Sequence, residues 1–243
     1  MKKLLPIFII ILLVSCSDDD APIVIPDKVD GTLLKKAVYT NSAGQITTAE
    51  YTYENNRLLK VEANSGSSTT YVYTGNLITR INTNFGSLNT ESRWLTYNSA
   101  GKLESVKKMV LDDITYSVTY TDDDAHTVTI REYNGDFSAG APMVALSKAF
   151  LADDGSVTRL EKYSGSNTLT YHYTYDDKTV PTADIIGYDK LRFYQAGSTS
   201  NPHNIVTVSG SDELTMINTH NTQGYLSTAQ EGQDGPSVKY YYY

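Results

Sequence analysis

Along most of this chain, hydrophobic and polar positions change places every residue or two and are punctuated by turn residues. Leu59-Lys60-Val61-Glu62 and Leu103-Glu104-Ser105-Val106 alternate in this way, the period of a strand with one face in water. Just ahead of the turns, Tyr51/Tyr53, Tyr71/Tyr73 and Tyr171/Tyr173/Tyr175 set aromatic rings at i and i+2, which places them on one strand face. Between such runs stand Asn41-Ser42-Ala43-Gly44, Glu54-Asn55-Asn56, Thr74-Gly75-Asn76 and Asn98-Ser99-Ala100-Gly101. Asn, Asp and Gly supply the positive-φ positions and side-chain caps of tight turns. Weaker copies centre on Asp122-Asp123-Asp124, Asp153-Asp154-Gly155, Asp176-Asp177 and Asn221-Thr222-Gln223-Gly224. Each copy predicts a β-hairpin, and short linkers such as Asn64-Ser65-Gly66-Ser67-Ser68 join them into an antiparallel meander. Eight hairpins predict about sixteen strands, and a twisted sheet beyond roughly ten strands curls, splits or closes. The expectation is an all-β fold curling into a large barrel-like or spiral sheet with a lumen too wide for wall side chains to fill. Only Ala183 to Tyr194 suggests a helix.

The unit Tyr-x-Tyr-Asp/Asn-x-x-Gly-x-Leu resembles the tyrosine-aspartate repeat of Rhs-type proteins. The pair itself is intact at Tyr175-Asp176, while Glu54, Thr74 and Asn98 stand in the aspartate position elsewhere. The likeness runs over most of Gly31 to Tyr243, and is similar to a family of Bacteroidetes lipoproteins of unknown function with degenerate repeats and a porin-like β fold. It implies a β shell. Long Rhs-type chains enclose a toxin, and this chain has neither their length nor a cargo segment.

The N-terminus has a different character. Met1-Lys2-Lys3, an apolar run from Leu4 to Val14 and Ser15-Cys16 make a signal peptide over residues 1–15. The run is short of the roughly 17–25 residues of a spanning helix. Leu13-Val14-Ser15-Cys16 resembles a bacterial lipobox, which implies lipidation of Cys16, the sole cysteine, and a membrane partner through that anchor. No internal disulfide can form. Residues 16–30, with Asp18-Asp19-Asp20, Pro22 and Pro26, read as a tether. The acidic triplet also resembles an outer-surface export signal of Bacteroidetes lipoproteins; a solvated linker is the other reading. Residues 31–243 then form one domain at the outer membrane, on its surface or periplasmic face.

Net charge is −8 and becomes −10 once Lys2 and Lys3 leave with the signal peptide. Nucleic acid, which is bound by neutralising phosphates with Lys and Arg, is therefore not an expected partner. No nucleophile elbow, zinc-protease helix or phosphate-binding loop occurs, and neither a cofactor nor a catalytic residue is predicted. His126, His172, His203 and His220 are scattered, and the Asp pairs are explained first as turn caps. No metal site is predicted.

Aromatic residues are the better lead. Trp94 and Tyr97, with Tyr51, Tyr53, Tyr71, Tyr73, Tyr171 and Tyr173, are the candidate ligand-binding residues; cross-strand packing is their structural alternative. Val238-Lys239-Tyr240-Tyr241-Tyr242-Tyr243 resembles the terminal strand of outer-membrane barrels, although Lys60, Glu62, Arg80 and Glu104 fall at or near outward positions. The expected function is a non-catalytic binding or scaffold module, for glycan or another envelope protein. A transport barrel and a glycan hydrolase are the alternatives.

Overall fold

The computed structural model describes residues 32–86, 90–191 and 201–243. Cys16, the signal peptide and the tether lie outside these residues, as do residues 192–194 of the stretch that suggests a helix.

Sixteen strands follow one another around a closed antiparallel barrel. The first four are β1 (Leu34–Thr40), β2 (Ile46–Glu54), β3 (Arg57–Ala63) and β4 (Ser68–Thr74). Next come β5 (Leu77–Asn84), β6 (Thr90–Tyr97), β7 (Leu103–Val110) and β8 (Asp113–Asp122). The third quarter is β9 (Thr127–Tyr133), β10 (Met143–Leu151), β11 (Val157–Ser164) and β12 (Asn167–Thr179). The last is β13 (His203–Gly210), β14 (Leu214–His220), β15 (Leu226–Glu231) and β16 (Ser237–Tyr242). Closure comes from β1 pairing with β16, with Ala37 opposite Tyr240 and Tyr39 opposite Val238. The strand number and the meander are those expected from the repeat, and of the two expected forms the sheet takes the barrel.

The repeat has a physical basis that alternation alone does not show. At the β2–β3 hairpin Thr52 faces Lys60 and Tyr53 faces Leu58, so Leu59 is an extra residue on β3. The same bulge follows the inward aliphatic residue after the turn at Ile78, Leu103, Val157 and Leu226. It puts Leu58, rather than Leu59, in step with Val61 on the inner face. A tyrosine of a neighbouring strand then bonds the backbone beside four of these five bulges. Tyr97 Oη donates to the Ile78 carbonyl (2.8 Å), Tyr175 Oη to Val157 (2.7 Å) and Tyr242 Oη to Leu226 (2.5 Å). Tyr53 Oη donates to Leu34 (2.8 Å), and Tyr73 Oη accepts from the Leu58 amide (3.1 Å). A buried phenol left without such a partner would be costly, so aliphatic residue, bulge and next tyrosine form one unit. Asn41, Asn98 and Asn221 each accept from the amides two and four residues on, closing three turns identically.

One turn breaks these rules. Leu111 and Asp112 join β7 to β8 at φ 51° and 66°, a conformation that favours Asn or Gly and strains a bulky residue. The Leu111 side chain is 84% exposed, so nothing is lost by removing it. Leu111→Asn is expected to stabilise the fold by up to about 1 kcal/mol, read from the urea midpoint; a lower midpoint would mean that the leucine has a packing role.

The inner face carries the core. Ile78, Ile81, Leu95, Val106, Val118 and Ile130 belong to one buried cluster that reaches Leu160. The β9–β10 connection folds onto the outer face: Phe137 N donates to Ser117 Oγ (3.0 Å), and Lys107 and Ser138 hold the Asp136 carboxyl down to about 2.

The wall does not fill the lumen alone. Between β12 and β13 the chain turns inward and supplies Ile185 to a cluster with Leu33, Tyr53 and Leu58, and Leu191 to the main cluster. The stretch from Ala183 is therefore not the helix that its sequence suggests: it holds a 3-10 turn at Tyr188–Leu191 preceded by irregular turns. Beside its own turn bonds, backbone and side-chain groups tie it to the barrel. Ile186 N donates to Asn56 O (2.9 Å), Asn56 Nδ2 to Asp184 O (3.1 Å) and Tyr225 Oη to Asp184 Oδ2 (2.6 Å).

Candidate functional site

This inner segment divides the lumen and leaves a cavity of about 400 Å³ on its β13–β16 side. Tyr39 and Tyr51 enter it from β1 and β2, Tyr240 from β16, and Tyr188 from the inner segment. Val180, Pro181, Met216 and Leu226 supply apolar surface. Asn201, Asn204 and Asn218 supply amides. None of the described lining residues is Asp, Glu, Lys or Arg.

The Tyr51 and Tyr240 phenols stay neutral here. Burial, aided by the hydrogen bond to Tyr39, pushes the Tyr51 hydroxyl far above the ordinary phenol range, and burial does the same at Tyr240. The Asn204 amide nitrogen is engaged, with Nδ2 3.1 and 3.2 Å from the two Asp176 oxygens. Asp176 also lies 3.0 Å from His220 Nε2, so this carboxylate ties β12 to β13 and β14. Asn218 differs: Nδ2 donates to Ile205 O (3.0 Å), while Oδ1 is buried with no donor among the described residues.

The rest of the lumen is charged. Buried Glu91 on β6 joins Arg93 and Lys108 (2.6 Å), Tyr116 donates to Glu132, and Lys162 lies 5.1 Å from the Tyr171 ring centroid. A rim cavity of about 330 Å³ is also flanked by paired charges, Lys102 with Asp122 (2.9 Å) and Lys190 with Asp189 (2.8 Å). His126, His203 and His220 each meet a single aspartate, at 3.8, 3.4 and 3.0 Å.

The sequence candidates are dispersed rather than gathered. Tyr51 lines the cavity. Tyr53, Tyr73 and Tyr97 are tied to backbone groups, and Tyr71, Tyr171 and Tyr173 pack against the main cluster. Trp94 stands on the outer face, 48% exposed, with Arg80 Cζ 5.5 Å from its ring centroid. Trp94 and Tyr97, three residues apart, thus point to opposite faces and form no common platform. Sequence reasoning missed Tyr39, Tyr188, Tyr240 and Asn218. Alternation from Ala37 and Tyr242 could have placed Tyr39 and Tyr240 inside; nothing local marks Tyr188 or Asn218.

No protein-family model matches the sequence, and no curated protein does. Among solved structures, the chain is similar to a porin-like protein from Bacteroides uniformis ATCC 8492 at 12% identity and TM-score 0.42, over 88% of this chain and 98% of that one. It is also similar to a chain of TcdB2-TccC3-TEV at 17% identity and TM-score 0.32, over 77% of this chain but 11% of that much longer one.

Proposed function

We propose that the protein is a cell-envelope lipoprotein, anchored through Cys16, that acts as a non-catalytic binding module and takes a small ligand in its lumen. The observation that carries this reading is the tyrosine- and asparagine-lined cavity between the inner segment and the wall. Its volume lies in the range of small-molecule sites, and a mainly apolar wall with a few placed polar groups is their usual make-up. Hydroxyls, amides and ring faces recognise; a glycan hydrolase would need two carboxyl groups about 5–10 Å apart at the wall.

The outer face does not favour the transport-barrel alternative, which calls for an outward apolar band about 25 Å tall. Lys60, Arg80, Lys107, Arg131, Lys148 and Glu161 occupy strand positions next to inward residues and therefore point out.

The cavity can be filled without touching its hydrogen bonds. Ala229 lines it on β15, opposite Asn218. In a thermal-shift screen of envelope glycans and small metabolites, hits that stabilise the wild-type protein are expected to leave Ala229→Phe unshifted. Hits that stabilise both proteins equally, or a screen without hits, would count against lumenal binding.

A further inference from the structure

On the outer face, strand register lines up one outward residue from each of seven consecutive strands, β4 to β10. They are Val72, Arg80, Trp94, Lys107, Ser117, Tyr133 and Met143. With neighbouring strands about 4.8 Å apart, the row is roughly 30 Å long. Val72, Trp94 and Met143 are exposed. At buried Ser117 the β9–β10 connection adds Phe137, whose ring centroid lies 5.9 Å from that of Tyr133. Contiguous exposed apolar and aromatic surface, rimmed by polar residues, is what interaction sites present.

The centre of the row is cationic. Arg80 and Lys107 flank Trp94 across the strands, Ser92 and Thr96 along its own strand, and Asn82 and Ser105 stand at the diagonals. None of these is a carboxylate. Lys107 is answered from the β9–β10 connection by Asp136 at 2.8 Å. Arg80, with Cζ 5.5 Å from the Trp94 ring centroid, makes no ion pair among the described residues. Its Nε is enclosed, so a ligand would meet the guanidinium through its terminal nitrogens. An unanswered arginine beside an exposed indole, on a chain of net charge −8, favours an anionic group.

The fold also restricts the form of the ligand. The closed barrel has no free strand edge to which a peptide could add. A second copy docked about a two-fold axis would set Arg80 and Lys107 against their own kind. A sugar chain needs neither an edge nor a groove: its C–H faces stack on exposed rings, and the Ser92 and Thr96 hydroxyls both donate to and accept from its own. We infer that this row binds an extended acidic polysaccharide, one ring stacking on Trp94 and a carboxylate of the chain reaching Arg80. The site is outside the lumen and independent of the cavity.

Trp94 is the only tryptophan in the chain, so its fluorescence reports the site directly. The test titrates the full chain in detergent with polygalacturonate, with dextran as the neutral polysaccharide and polyglutamate as the acidic polymer without sugar rings. Polygalacturonate is expected to shift the Trp94 emission, with affinity falling as salt is raised, while the other two bind about tenfold or more weakly. Arg80→Gln is expected to weaken polygalacturonate by about tenfold. Trp94→Ala, followed by affinity electrophoresis, should lose as much; its exposed site keeps the test open if Arg80→Gln does not fold. Ala229→Phe should bind as the wild type does, so this site and lumenal binding fail separately. Dextran or polyglutamate binding as tightly as polygalacturonate would overturn the ligand class. No emission change with polygalacturonate, or binding retained in both outer-face variants or lost in Ala229→Phe, would overturn the site. A dimer in sedimentation that Trp94→Ala dissolves would overturn it in favour of a second copy.

Discussion

Raising the pH from about 10 to 12 is expected to unfold the barrel in one cooperative step. Tyr53 is buried and Tyr97, Tyr175 and Tyr242 are half-buried, and the hydroxyl of each donates to a backbone carbonyl. Burial pushes each well above the usual phenol value. Tyr73 rises least, to about 12, because the Leu58 amide and the Arg57 cation favour its phenolate and partly offset burial. The sign follows from which state keeps the protons. Below about pH 10 the folded and unfolded chains both hold them, and stability is full. Above it the unfolded chain releases protons that the folded chain retains, so each fully buried phenol withdraws up to about 1.4 kcal/mol per pH unit. Tyr53, only 3% exposed, should approach that slope, and the more accessible phenols fall short of it. Together they remove several kcal/mol by about pH 11, comparable with a typical domain stability of about 5–15 kcal/mol. The measurement is phenolate absorbance followed alongside far-ultraviolet circular dichroism. A fraction of the tyrosines should ionise only as the β signal collapses. Complete ionisation with the β signal intact would show that the phenols are not sealed by the bulged strands.

Replacing Gly187 is expected to have the largest effect of any single change in the inner segment. Its φ is +74°, and an added Cβ would lie 2.5 Å from Asn76 O and 3.4 Å from Ile78 N. These are backbone atoms of the β4–β5 hairpin, which cannot swing aside as a side chain can. Left-handed strain and overpacking together give a cost of about 2–5 kcal/mol for Gly187→Ala. Gly44 supplies the control, because it has φ +75° with no atom within 4 Å of the added Cβ. Gly44→Ala should cost about 1 kcal/mol, the backbone share alone. The urea midpoints of the two variants separate contact from conformation; equal losses would mean that the close approach to Asn76 does not seat the segment. Because Tyr188 and Thr182 line the cavity, Gly187→Ala should also abolish ligand stabilisation, whereas Gly44→Ala should not.

Much of this architecture is local and was legible. Period-2 alternation marks the strands, Asn and Gly mark the turns, and the Asn caps at 41, 98 and 221 make hydrogen bonds that depend only on nearby residues. The same alternation separates Trp94 from Tyr97. It does not reveal the bulges, since an extra residue is defined only by the strand it fails to match. Nor does it identify the inner segment, where Ile186 and Asp184 exchange helical bonding for partners at Asn56 and Tyr225.

The ends of the described chain show the division most clearly. Leu34 faces Tyr242 and Lys36 faces Tyr241, leaving Lys35 as the extra residue, the same bulge found inside the hairpins. Tyr53 bonds to Leu34 as Tyr97 does to Ile78. The seam is thus one more repeat, assembled from residues about two hundred positions apart. By itself the sequence determined the strand pattern, the turns and the repeating tyrosine, because each is encoded within a few residues. Closure, the inward turn of the β12–β13 connection and the tyrosine- and asparagine-lined cavity beside it were decided only by tertiary structure, because they depend on pairings between distant residues and on which wall each side chain meets.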